Sequence, residues 1–117
     1  MFRLTINGTI PVKKNRQRIG RNGGIYKPKE VTEYEELFGW EARLKRLEMV
    51  PGKFAISGTF RVKKTKDLDG CLTTILDCLQ KHGLIENDKY LAMIHDLEKI
   101  DLQPGEEESV TIQVTPA

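Results

Sequence analysis

Cysteine and histidine are scarce in this chain of 117 residues, with two of each, and the scarcity removes several kinds of chemistry. Cys71 and Cys78 lie in a stretch of helical spacing, where a rise of about 1.5 Å per residue puts their α-carbons roughly 10 Å apart. A disulfide needs less than about 7 Å, so both are expected as small core residues. Without a CxxC pair or a Cys/His cluster, a structural zinc has no ligands. His82 and His95 have no acid at ligand spacing and are expected as a helix-end and a strand histidine. No apolar run approaches the roughly 20 residues of a membrane-spanning helix. The opening MFRLTINGTIPVKK also lacks the apolar stretch of about 7–15 residues that marks a secretory signal. A cytoplasmic protein without membrane contact is the expectation. The length suits a single domain over 1–117, and 38% apolar residues against 31% charged argue against disorder.

A net charge of +2 conceals a strong asymmetry along the chain. Residues 12–29 hold Lys13, Lys14, Arg16, Arg18, Arg21, Lys27 and Lys29 and no acid. A second basic run follows at Arg61, Lys63, Lys64 and Lys66, while the acids gather in EYEE and in GEEE. Such polarity suits a polyanion, nucleic acid above all, against the plainer reading of a solvated basic loop.

Hydrophobic periodicity gives the elements. FRLTI alternates as a strand, and 7–29 is predicted as a loop of about twenty residues, a length usual for functional loops. A helix is expected from Pro28 or Lys29 to about Leu47, with Trp40 read as core and Tyr26 as exposed. KFAISGTFRVKK alternates again, and Leu68, Leu72, Ile75, Leu76 and Leu79 mark a second helix from about Asp67 to Lys81, stopped by Gly83. Strands over about 91–100 and 109–115 complete the order β-loop-α-β-α-β-β. That order predicts an α+β domain, a mixed sheet with two helices on one face.

Asp67 and Asp69, in TKDLDGCLTTILD, and Asp88, in LIENDKYL, form the chemically suggestive set. Residues two apart do not share a helix face, but at a helix entry, where the chain is still extended, their carboxylates can converge at the positive end of the dipole. The plainer reading makes Asp69 an N-cap, which leaves Asp67 and Asp88 unexplained. An EF-hand is excluded: with Gly70 at loop position six, Thr65 and Leu76 occupy the first and last ligand positions. The remaining cluster of oxygen ligands suits Mg²⁺ or Mn²⁺, and a divalent metal beside basic surface is what phosphodiester cleavage needs. Asp77 falls on a polar stripe with Asp69 and Thr73 and reads as structural.

Over nearly its full length the chain resembles the RusA family of Holliday-junction resolvases, small nucleases common in bacteria and their prophages. The resemblance rests on IPVKKNRQR, on IYKPKEVTEYEE, and on a D-x-D motif opening a helix after a central strand, with Asn87-Asp88 before the next strand. It implies a single RusA-like endonuclease domain, working as a homodimer on four-way or related branched DNA in recombination and repair. It assigns Asp67, Asp69 and Asp88 as the metal-binding catalytic carboxylates, with Mg²⁺ as cofactor and Mn²⁺ as the alternative. Lys13, Lys14, Arg16, Arg18, Arg21 and Lys27, with Lys63, Lys64 and Lys66, would bind DNA. The chain departs from the family pattern D-x-D-N-x-x-K at Gly70 and Thr73, and Asn87 replaces an aspartate. The lysine missing at Thr73 is catalytically important in the family, and Lys66 or Lys89 could substitute for it. The alternative is a weakly active or inactive relative that binds branched DNA without cutting. An acidic-site protein unrelated to DNA is the third reading.

Overall fold

The structure, a computed structural model, describes residues 1–12, 18–19, 25–26 and 28–117, and for 18–19 and 25–26 the strand pairing alone. Strand β1 (Phe2–Asn7) alternates buried and exposed side chains along its whole length, the signature of a sheet with one face on the core. Arg18–Ile19 (β2) and Ile25–Tyr26 (β3) pair antiparallel within the segment read as loop. Two residues a side leave too little alternation for a sequence pattern to show them.

Helix α1 spans Lys29–Leu44 after Pro28, a residue whose fixed φ suits helix entry. Its buried residues are Val31, Tyr34, Glu35, Phe38, Gly39 and Ala42. Trp40 is not core: it is 57% exposed, and the Arg43 guanidinium lies 5.9 Å from its ring centroid. At about 100° per residue it stands some 200° round the helix from Phe38, so the apolar stripe cannot include both. Leu44 is exposed at the helix end.

Strand β4 (Phe54–Val62) leads into α2 (Leu68–Lys81), a 3₁₀ turn at Asp88–Tyr90, strand β5 (Leu91–Asp101) and strand β6 (Ser109–Pro116). The four longer strands form one mixed sheet in the order β1-β6-β4-β5, with β4 and β5 parallel and the other pairs antiparallel. The fold is α+β. Phe54, Ile56, Phe60 and Val62 of β4 join Val110, Ile112 and Val114 of β6, Leu4 and Ile6 of β1, and Phe38, Ile75 and Leu79 of the helices in one core. Cys71 and Cys78 are both buried in that core. Among the described residues, no helix is long and apolar enough to cross a membrane.

The two helices meet through His82, the C-cap residue of α2. Its ring stacks on Phe38 at 6.3 Å between centroids, its Nε2 bonds the Glu35 carbonyl at 2.6 Å, and it packs against Gly39. Beside it Lys81 Nζ reaches the buried Glu35 carboxylate at 3.2 Å.

Candidate active site

Asp67 occupies the N-cap position of α2 in an extended conformation, φ −83° and ψ 139°, with no side-chain cap hydrogen bond. Capping therefore does not account for its carboxylate, and Asp69 lies in the first helical turn rather than at the cap. Both are exposed at the positive end of the helix dipole, which favours negative charge there. Thr73 follows one turn on, and its hydroxyl donates to the Asp69 carbonyl at 2.9 Å, so this position offers no positive charge.

The cations leading into this turn divide. Lys63 and Lys64 are exposed. Lys66 is turned inward: its ammonium donates to the Ile10 carbonyl at 2.7 Å and to Glu108 at 2.5 Å, and its side chain is 14% exposed. Of the other expected DNA contacts, Lys13, Lys14, Arg16, Arg21 and Lys27 lie outside the described residues, and of Arg18 the structure describes the strand pairing alone.

Asp88 stands elsewhere. Its amide donates to Gln80 Oε1 at 2.9 Å near the C-terminal end of α2, and Asn87 caps the 3₁₀ turn by accepting from the Lys89 amide at 3.0 Å. Asp69 and Gln80 are separated by about 16 Å of helical rise at 1.5 Å per residue. The sheet register agrees: Leu91, just after Asp88, pairs with Phe54, whereas Asp67 follows Val62 at the other end of β4. Asp67 and Asp69 therefore share the N-terminal turn of α2, whereas Asp88 lies beside its other end. Among the described residues no three His, Cys, Asp or Glu side chains form a metal-holding group. A hard dication such as Mg²⁺ takes carboxylate oxygens. The Asp67–Asp69 turn fits part of such a site, and among the described residues no third ligand joins it.

Glu108 belongs to this region and was hidden in the acidic run GEEE. It is 3% exposed, and besides Lys66 it accepts from the Ile10 amide at 2.8 Å and the Lys63 amide at 2.9 Å. Burial pushes its carboxyl up, but the Lys66 ammonium and the two amides outweigh that and hold it below the usual carboxylate range. One sequence signal was available, since Glu108 has the parity of the core positions Val110, Ile112 and Val114.

The family model for the endodeoxyribonuclease RusA matches residues 9–115. The chain belongs to the RusA family. A curated RusA relative, the crossover junction endodeoxyribonuclease RusA of Aquifex aeolicus (strain VF5), is 28% identical over 111 residues, covering 92% of this chain and 86% of that protein. The RusA match takes in the root of the basic segment, the Asp67–Asp69 turn, Asp88 and Glu108 alike, and it places the chain among endodeoxyribonucleases.

Proposed function

We propose that this chain is a Mg²⁺-dependent endonuclease, able to use Mn²⁺, that cuts four-way or related branched DNA as a homodimer. The observation that carries the reading is the exposed Asp67–Asp69 pair at the start of α2, directly after Lys63 and Lys64 and beside the root of the basic segment. Family membership supports the nuclease chemistry, and the name of the Aquifex relative supports a junction substrate.

The separation of Asp88 from the other two carboxylates shapes the mechanism. Asp67 and Asp69 of one copy would hold the metal together with Asp88 of the second. A C2 dimer makes two such sites at once, matching the two symmetric cuts that resolve a junction. When bound, the metal supplies Lewis acidity at the scissile phosphate and activates water. The protein's own part is placement: Lys63, Lys64 and the cations of residues 12–29 neutralise backbone phosphates, contacts that position DNA without reading its sequence. Junction affinity should therefore fall steeply between about 50 and 200 mM salt, as release of counterions requires.

One observation favours the second reading, a relative that binds branched DNA and cuts it poorly. Thr73 carries no charge, and Lys66 is engaged with Glu108 rather than turned outward. Loss of a transition-state cation costs orders of magnitude in rate, at about 1.36 kcal/mol per tenfold. Cleavage of an immobile four-way junction, with linear duplex as control, in Mg²⁺, Mn²⁺ and EDTA separates the two. Paired metal-dependent cuts that vanish in Asp69→Asn, with binding retained, are expected. Tight binding without cutting, and cutting gained by Thr73→Lys, would establish the second reading.

A further inference from the structure

We propose that Glu108 is a positioning residue of this cleavage site: its buried carboxylate fixes residues 10–12 against the approach to Asp67, so that DNA held beside this turn by Lys63 and Lys64 meets the carboxylates in register. The proposal rests on the nuclease reading above.

Both oxygens of Glu108 are engaged, and they join parts of the chain far apart in sequence. Oε1 accepts from the Ile10 amide at 2.8 Å and the Lys66 ammonium at 2.5 Å, and Oε2 accepts from the Lys63 amide at 2.9 Å. Lys66 returns to the Ile10 carbonyl at 2.7 Å, so both backbone groups of Ile10 are fixed by one ion pair. Three donors converging on a buried point call for an anionic acceptor with two oxygens, which a neutral side chain cannot match.

The next two residues of the segment are fixed as well, by α2 itself. The Pro11 carbonyl accepts from the buried Thr74 hydroxyl at 2.5 Å. Val12 rests where a side chain on Gly70 would stand: a Cβ there would lie 2.5 Å from Val12 Cγ1. Gly70 directly follows Asp69, so its lack of a side chain lets the root of the basic segment pack on the carboxylate-bearing turn. Ile10, Pro11 and Val12 are thus held in succession just before the first cation, Lys13, while the same carboxylate holds Lys63 and Lys66 just before Asp67. Stability alone is a weak reason for this arrangement, because a buried ion pair is often no more stabilising than apolar residues of its volume. Register is a stronger one, since misplacing reacting groups by about 1 Å can cost about a hundredfold in rate.

The test compares wild type, Glu108→Gln, Lys66→Met and the core variant Val114→Ala, which lies on β6, the strand that follows Glu108, away from the site. All are measured well below their melting temperatures. Junction Kd is read in EDTA, and the single-turnover cutting rate is read at saturating enzyme and Mg²⁺. Glu108→Gln keeps the side chain's shape and removes its charge; it should lower the rate by about tenfold or more while Kd moves by less than about threefold. Val114→Ala should lose melting temperature and keep its rate, and Lys66→Met should repeat the Glu108→Gln pattern, giving the same reading if Glu108→Gln does not fold. Cutting by Glu108→Gln within about twofold of wild type, or a loss no larger than that of Val114→Ala, would overturn the positioning role. A wild type that binds junctions and cuts none would defeat the nuclease reading and this proposal together, a result distinct from equal cutting by both.

Discussion

The Glu108 carboxylate and the Tyr34 hydroxyl show two opposite fates of a buried polar group. Glu108 has a donor for each lone-pair direction it uses, and its folded-state pKa lies below the ordinary value. A depressed carboxyl pKa contributes stability that is complete above the unfolded value of about 4.3 and is lost as pH falls through the folded value. The gap in urea midpoint between wild type and Glu108→Gln should therefore be constant near neutrality and shrink in acid; a gap unchanged down to about pH 3 would contradict the assignment. Tyr34 is 4% exposed, its hydroxyl has no hydrogen-bond partner among the described residues, and burial pushes its pKa upward. Removing an unpaired buried hydroxyl recovers its desolvation cost, so Tyr34→Phe should raise stability by about 1 kcal/mol, read as a higher melting temperature. A loss of stability would mean that the hydroxyl has a partner. The fate of Tyr34 was not legible in sequence, and that of Glu108 only by parity. GEEE offers three equivalent glutamates, and only the alternation of the strand that follows singles out the third.

Periodicity located every long element to within a few residues, because β1, β4 and β6 each bury one face and α2 buries one stripe. It failed where no repeat exists, at the short β2–β3 pair, and where a large apolar residue sits off the stripe, at Trp40. Contact between elements was equally invisible. Gly39 reads as a weak spot in α1, since alanine is preferred there by about 1 kcal/mol on propensity alone. The structure reverses that expectation, because a Cβ on Gly39 would enter the His82 ring. Gly39→Ala should lower stability by about 1–3 kcal/mol, the usual cost of overpacking, despite the better helix former. Urea denaturation of the single variant and of Gly39→Ala combined with His82→Ala checks this: the second change should recover part of the propensity gain. Additive losses would show that the contact is not the cause.

For the molecule as a whole, the linear distance from Asp67 to Asp88 was misleading in an instructive way. The motif reads as one cluster, but the residues between include all of α2, and a helix followed by a parallel return to the sheet carries Asp88 to the far end of β4. The candidate carboxylates were legible as residue types; their placement was not, since spacing along a sequence carries no information about which end of α2 each one meets. The proposed site takes Asp67 and Asp69 from one copy and Asp88 from the other. Mixing two inactive variants, Asp69→Asn and Asp88→Asn, tests it most directly. In the mixed dimer one site would lose both contributions, and the other would keep the intact Asp67–Asp69 pair of one chain and the intact Asp88 of its partner. Metal-dependent nicking of a four-way junction should therefore reappear on mixing, although neither variant cuts alone. A mixed dimer, verified by differently tagged chains, that remains as inactive as its parents would contradict a site shared between copies.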